Sequence, residues 1–128
     1  MSFKKNIINT ELAPAAVGTY SQGVEYKDTF YFSGQIGLDP VDGKLKDGFK
    51  GQMDQILKNI DGLLESCSLT REHIIKTSIF VTNLDNFSMV NEAYENYFTK
   101  PYPARSCIEV PRLPKESLVE IEVIAAKG

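Results

Sequence analysis

The sequence predicts a two-layer α+β domain in which two helices cover one face of a mixed β-sheet. Apolar residues recur at steps of three and four over residues 48–67 and again over 86–98, which indicates two amphipathic helices. Five segments rich in β-branched and aromatic residues surround them and predict strands, in the order β-β-α-β-α-β-β. The chain has 128 residues, enough for one domain with a real core, so we expect a single domain over residues 1–128.

The first two strands are predicted to form a hairpin. Residues 22–26 and 29–36 are rich in aromatic and β-branched side chains and flank Lys27 and Asp28, a pair suited to a tight turn. A loop with turn residues at 38–43 leads to the first helix.

Residues 74–81 predict a central strand, because the run has no polar face. We expect Ile75, Ile79 and Val81 to point to one side of the sheet, and Ile74 and Phe80 to the other.

The second helix is expected to begin at a cap provided by Asp85 or Asn86 and to end before Pro101. Two further strands are predicted at 105–110 and 118–126.

Alternation along the last two strands predicts which side chains share a face of the sheet. The face expected to receive the helices carries Ser106, Ile108, Val110, Val119, Ile121, Val123 and Ala125. The opposite face is expected to carry Arg105, Cys107, Glu109, Leu118, Glu120, Glu122 and Ile124. Two helices leave this second, partly apolar face uncovered, so it is either solvated or packed against another copy of the chain.

Composition excludes several classes of protein. With 42% hydrophobic and 24% charged residues, the chain is typical of a soluble globular protein. A net charge of −3, with the basic residues dispersed, argues against nucleic-acid binding. One His and two Cys cannot make a typical zinc site, and no segment is apolar enough to span a membrane. Without a secretory signal, we expect reduced thiols and a cytoplasmic location.

Five stretches of the chain belong together: APAAVGTYSQG at 13–23, FSGQI at 32–36, VNEAY at 90–94, PARSCIEVPRLPK at 103–115 and VEIE at 119–122. Through them the chain resembles, from Thr10 to Ala126, the RidA or YjgF-type family of reactive-intermediate deaminases. The resemblance implies a chorismate-mutase-like fold and a homotrimer with ligand sites between subunits. It also implies hydrolysis, without a cofactor, of enamines and imines such as 2-aminoacrylate and 2-iminobutyrate to 2-oxo acids and ammonia.

The same resemblance implies the site residues. Arg105 would hold a carboxylate through its planar fork and Glu120 would activate water, while Cys107 would contribute mainly backbone groups. The remaining binding residues would be Tyr20, Ser33, Gly34 and Asn91.

Each assignment has a structural alternative. Arg105 could pair with Glu120 or Glu122, and Glu120 could be a strand carboxylate in an ion pair. We exclude Cys107 as a nucleophile, because the only His, His73, lies in a turn with no predicted relation to it.

Two other functions remain open besides an enzyme that acts on C=N bonds. The chain could be a non-catalytic regulator that binds a small 2-oxo acid or imine, for which loss of Glu120 would be the sign. It could also be an endoribonuclease or translation inhibitor, which the acidic balance opposes.

Overall fold

The computed structural model describes residues 3–128, and within them the predicted α+β architecture is confirmed with one additional strand. The strand that sequence patterning missed lies at the amino terminus and has only three residues. The elements are β1 (Asn6–Ile8), β2 (Gly23–Tyr26), β3 (Thr29–Phe32), α1 (Gly48–Ser66), β4 (Ile74–Val81), α2 (Phe87–Tyr97), β5 (Ala104–Glu109) and β6 (Val119–Ala126).

The six strands form one mixed sheet in the order β1-β2-β3-β6-β4-β5. Neighbouring strands run antiparallel, except that β4 and β5 are parallel and are connected through α2. A parallel pair requires such a crossover, which is why α2 lies next to the β5 edge of the sheet.

The predicted hairpin is confirmed. Lys27 and Asp28 both have positive φ, 48° and 65°, as a two-residue turn with the twist of the flanking strands requires. The second strand is shorter than predicted and ends at Phe32. Beyond it, Gln35 forms an isolated bridge with Ile121 of β6, and its backbone N–H donates to the Ile121 carbonyl at 2.8 Å.

Both helices pack on one face of the sheet and enclose the core, as the periodicity predicts. Asn86 is the residue before α2, although its side chain makes no capping hydrogen bond. Burial of these apolar side chains is the main favourable contribution to folding. Fully buried members of the core are Ile56, Ile60, Leu63, Ile79, Val81, Val90, Val119 and Ile121.

The strand registers correct the predicted faces of β5. Ile79 of β4 pairs with both Cys107 and Ile121, and Thr77 pairs with Arg105. Paired residues lie on the same face of a sheet, so Arg105, Cys107 and Glu109 lie on the helix side with Val119, Ile121 and Val123. The prediction was right for β6 and wrong for β5, because alternation gives the spacing within a strand but not its register.

The opposite face of the sheet, here called the open face, carries Glu120, Glu122 and Ile124 together with Ser106 and Ile108. Apolar side chains are exposed across it: Ile7 is 55% exposed, Tyr31 49% and Ile108 50%. No helix of the described chain covers this face.

A bulge in β4 corrects a second detail. The pairing with β6 shifts between Ile74 and Lys76, so Ile74 is buried while the adjacent Ile75 is 51% exposed. An extra residue at a bulge reverses the alternation. Ile75 therefore does not share the buried side of Ile79 and Val81, as the sequence had suggested.

Candidate functional site

Arg105 lies on the edge strand β5, exposed and facing α2. Its Nη1 donates a hydrogen bond to the Asn91 Oδ1 at 2.8 Å. Its guanidinium carbon lies 5.2 Å from the ring centre of Phe87 and 5.3 Å from that of Tyr94. Phe87, Asn91 and Tyr94 follow one another at steps of four and three, so they form a single stripe of α2 that faces the guanidinium.

No carboxylate of the described chain lies within salt-bridge distance of Arg105. The predicted alternative, an ion pair with Glu120 or Glu122, is therefore wrong within this chain. A guanidinium has five N–H donors, and only one of them is used here by a protein acceptor. The others are free for an anionic ligand.

An open cavity of about 320 Å³ lies beside Arg105. Its volume suits a small organic acid. The walls combine aromatic, amide and charged groups: Asn91, Tyr94, Glu95, Tyr102, Pro103 and Arg105.

Two buried hydroxyls lie near Arg105: that of Tyr94, which lines the cavity, and that of Thr77, which pairs with Arg105 in the sheet. Tyr94 is 6% exposed and Thr77 is 1% exposed, and neither hydroxyl has a hydrogen-bond partner among residues 3–128. Burial raises the pKa of Tyr94 to about 12, although the nearby Thr77 hydroxyl and the Arg105 charge oppose the shift. Tyr94 is therefore neutral at physiological pH.

Glu120 lies on β6 and points to the open face, beside Gly34. A Cβ atom at Gly34 would overlap the Glu120 carboxylate, so glycine is what allows this close approach. The bridge between Gln35 and Ile121 holds the two segments together, because it pairs the residues that follow Gly34 and Glu120.

Glu120 is half-buried, and burial raises the pKa of its carboxyl. The charge of the neighbouring Glu122 raises it further. A carboxylate with a raised pKa is a better proton acceptor than an exposed one, which suits a general base.

Ser33 and Tyr20 belong to the same region as Gly34. The Ser33 hydroxyl donates to the Ser21 carbonyl oxygen at 2.6 Å, and the Ser33 N–H donates to the Gln22 carbonyl at 2.9 Å. These bonds tie the loop that carries the exposed Tyr20 to the end of β3. Because the Ser33 hydroxyl already donates its hydrogen bond to the backbone, it can only accept a hydrogen bond from a ligand.

The predicted site residues therefore form two groups on opposite faces of one sheet. The arginine group, on the helix side near β5, consists of Asn91, Arg105 and Cys107. The carboxylate group, on or beside the open face, consists of Tyr20, Ser33, Gly34 and Glu120. The expectation that Arg105 and Glu120 share a strand face is wrong.

Cys107 is half-buried, and burial raises the pKa of its thiol, with the Arg105 charge opposing the shift. His73 lies in a one-turn helix after α1, where its Nδ1 accepts a hydrogen bond from the Thr70 N–H at 3.0 Å. A thiol with a raised pKa and no basic partner is a poor nucleophile.

Sequence patterning missed Phe87, Tyr94 and Thr77 as members of the arginine group. The sequence pattern assigns the two aromatic residues to the apolar stripe of α2, and it assigns Thr77 to a core strand. The available signal was that Asn91, a polar residue, shares the helical stripe of Phe87 and Tyr94.

Within residues 3–128, no helix is long and apolar enough to cross a membrane. The same residues contain no cluster of three or more His, Cys, Asp or Glu side chains that could hold a metal ion.

A family model described as Endoribonuclease L-PSP matches residues 10–127. A RutC family protein of Aquifex aeolicus is 47% identical over 122 residues, covering 94% of this chain and 98% of that protein. The 2-iminobutanoate/2-iminopropanoate deaminase of Salmonella typhimurium is 44% identical over 123 residues, covering 94% and 96%.

The fold agrees with these sequence matches. The crystal structure of RidA from an Antarctic Psychrobacter superposes with a TM-score of 0.93 at 41% identity, covering 95% of this chain and 99% of that one.

Proposed function

Because the chain belongs to the endoribonuclease L-PSP family, which includes the RidA and YjgF proteins, we propose that it is an imine deaminase. Its substrates would be small enamines and imines derived from amino acids, such as 2-aminoacrylate and 2-iminobutyrate. The products would be a 2-oxo acid and ammonia. A curated relative that carries this activity in its name is 44% identical over nearly the full length of both chains.

The observation that carries the proposal is the state of Arg105. Its guanidinium is oriented by Asn91, borders a cavity of about 320 Å³, and has no carboxylate partner in the described chain. A planar guanidinium that is oriented and has free N–H groups is suited to bind the carboxylate of an amino-acid-derived imine with two parallel hydrogen bonds.

Glu120 would supply the general base. Water would add to the carbon of the protonated C=N bond while one of its protons passes to the Glu120 carboxylate, which leaves a neutral carbinolamine. Glu120 would return this proton to the nitrogen of the carbinolamine. As the C–N bond breaks and ammonia leaves, the carbinolamine hydroxyl would give its proton to the Glu120 carboxylate, which forms the carbonyl of the 2-oxo acid, and Glu120 would then release that proton to solvent. The raised pKa of Glu120 supports these transfers, because a group that both accepts and returns a proton works best near the operating pH.

We further propose that the complete site lies between subunits of a homotrimer. One chain presents Arg105 and Glu120 on opposite faces of its sheet, so a ligand that contacts both needs two copies. The exposed apolar side chains of the open face, among them Tyr31 and Ile108, supply a surface for that association. Tyr20, Ser33 and Gly34 of one subunit would then face Asn91, Arg105 and Cys107 of the next.

A coupled assay tests the activity. A pyridoxal-phosphate-dependent dehydratase generates 2-aminoacrylate in the presence of semicarbazide, which traps the free imine as well as the 2-oxo acid. Both give the same semicarbazone, and the imine reacts faster. Addition of this protein should therefore lower the initial rate of semicarbazone formation, and without semicarbazide it should accelerate formation of the 2-oxo acid. No acceleration at equimolar protein would refute the proposed activity.

Subunit mixing tests the location of the site. Arg105→Lys and Glu120→Gln variants are each expected to be inactive, yet mixed trimers would contain some clefts with both native residues. With random exchange, about a quarter of the clefts are restored. No recovery after verified exchange would place the site within one chain. Sedimentation equilibrium should give about three times the 14.3 kDa of the chain.

The description of the family model keeps ribonuclease activity as a second candidate. A ribonuclease would bind RNA through phosphate contacts, so its affinity would fall steeply with salt. The net charge of −3 opposes this function, and binding of a small acid at Arg105 should depend only weakly on salt.

A non-catalytic binding role is disfavoured by the presence of Glu120 alongside Arg105. The free thiols Cys67 and Cys107 are compatible with the reducing cytoplasm, where we place the activity.

A further inference from the structure

The environment of Arg105 has a feature that carboxylate binding alone does not explain. The side chain lies on an edge strand and is exposed, yet two aromatic rings of α2 approach its guanidinium at 5.2 and 5.3 Å. An exposed arginine with one hydrogen bond would ordinarily sample several rotamers, because its side chain has high conformational entropy.

The two rings differ in how they are held. Tyr94 is 6% exposed and belongs to the core, whereas Phe87 is 38% exposed at the first turn of α2. Phe87 is therefore only partly packed against the rest of the chain. Its ring lies next to the Arg105 guanidinium, and a cation near an aromatic face is attracted by the negative charge of that face.

We propose that Phe87 and Tyr94 are positioning residues that hold the Arg105 guanidinium in place for a carboxylate. The rings of Phe87 and Tyr94 contact the guanidinium and Asn91 accepts one N–H, so the remaining N–H groups have no protein acceptor in the described chain. A pre-oriented fork loses less conformational entropy when the ligand binds, so affinity rises without any contact between the rings and the ligand.

This inference rests on the proposed function only for its catalytic consequence. The ordering of Arg105 is a property of the free protein. It can therefore be tested whether or not an imine is hydrolysed.

The buried hydroxyl of Tyr94 is not required in this arrangement. It has no hydrogen-bond partner in the described chain, so the ring and not the hydroxyl would act on Arg105. Tyr94→Phe should preserve the positioning.

The first measurement is the order of the arginine side chains by ¹⁵N NMR relaxation. The chain contains only three arginines, Arg71, Arg105 and Arg112, so the Nε–H signals are readily assigned. Phe87→Leu should lower the order parameter of Arg105 Nε and leave that of Arg71 unchanged. Phe87→Tyr, which keeps a ring, should retain the wild-type value.

The second measurement is the affinity for 2-oxobutanoate by titration calorimetry. Phe87→Leu should raise Kd about three- to tenfold, and Phe87→Tyr should stay within about twofold of wild type. In the coupled assay the Leu variant should raise KM with kcat nearly unchanged, because the ring would stabilise ground state and transition state alike. Met89→Leu, an exposed position of α2 away from Arg105, is the matched control.

An unchanged Arg105 order parameter in Phe87→Leu would overturn the inference. So would equal weakening of 2-oxobutanoate binding in Phe87→Leu and Met89→Leu. A wild-type protein that orders Arg105 through Phe87 but forms no 2-oxo acid would refute the proposed function and leave the positioning role intact.

Discussion

Replacement of Glu120 by Gln separates binding from chemistry. The amide has nearly the size of the carboxylate, so the close contact with Gly34 is preserved. It can still bind a water molecule but cannot accept a proton from it. Arg105 lies on the opposite face of the chain's own sheet, so within one chain the change does not reach it.

The expected loss follows from the role of a positioned base, which is worth about 10²–10⁴ in rate, or about 3–5 kcal/mol in activation free energy. Stability should not fall. Burial raises the pKa of Glu120 in the folded protein above its value in the unfolded chain. As the pH rises through the interval between these two pKa values, ionisation of the buried carboxyl lowers the free energy of unfolding. The neutral Gln removes that cost at pH 7.

The assay combines calorimetry with imine hydrolysis. Affinity for 2-oxobutanoate should stay within severalfold of wild type, while kcat/KM for 2-aminoacrylate falls. Glu122→Gln is the control, since Glu122 is exposed on the same strand face two residues away.

The structure gives this control its own signature. The charge of Glu122 raises the pKa of Glu120, so Glu122→Gln should leave activity at pH 8 nearly unchanged and move the acidic limb of kcat/KM to lower pH. Equal losses of activity in the two variants, or full turnover in Glu120→Gln, would refute the general-base assignment.

Four further substitutions have defined outcomes. Arg105→Lys should keep the fold but weaken calorimetric binding of 2-oxobutanoate by about 2–5 kcal/mol, because an ammonium cannot reproduce the planar fork. Tyr97→Phe should lower the free energy of unfolding in urea by about 1.5–3 kcal/mol, since the Tyr97 hydroxyl donates to the Asp61 carboxylate at 2.6 Å. Tyr94→Phe removes a hydroxyl that has no partner in the described chain, so it should leave this free energy almost unchanged. Gly34→Ala should displace the neighbouring carboxylate and lower kcat/KM about 10- to 100-fold, with little change in unfolding free energy.

The fold was largely predictable because its elements have strong local patterns. The stripe predicted over residues 48–67 became α1, and the positive φ values of Lys27 and Asp28 are those that a two-residue turn requires. The strand Asn6–Ile8 was missed because three residues provide too short a pattern, and its pairing with β2 depends on a partner distant in sequence.

The arrangement of the site was less predictable for a physical reason. The types and positions of the functional residues could be inferred from motifs, but their faces depend on the register of β5 against β4. In that register α2 lies over the helix side of β5, where Asn91 and Tyr94 contact the long polar side chain of Arg105. Alternation within β5 contains no information about this neighbour.

The separation of Arg105 from Glu120 also determines how the assembly would tune the base. In the single chain, burial and Glu122 both raise the pKa of Glu120. In the proposed trimer, the arginine of the next subunit would approach Glu120 and lower its pKa, while the closing interface would bury it further and raise it. A bound substrate carboxylate would neutralise much of the arginine charge, so the opposing contribution weakens when a substrate is present. The base would thus become a stronger proton acceptor at the moment when the imine occupies the cleft, which is a consequence of placing the two charges on different chains with the ligand between them.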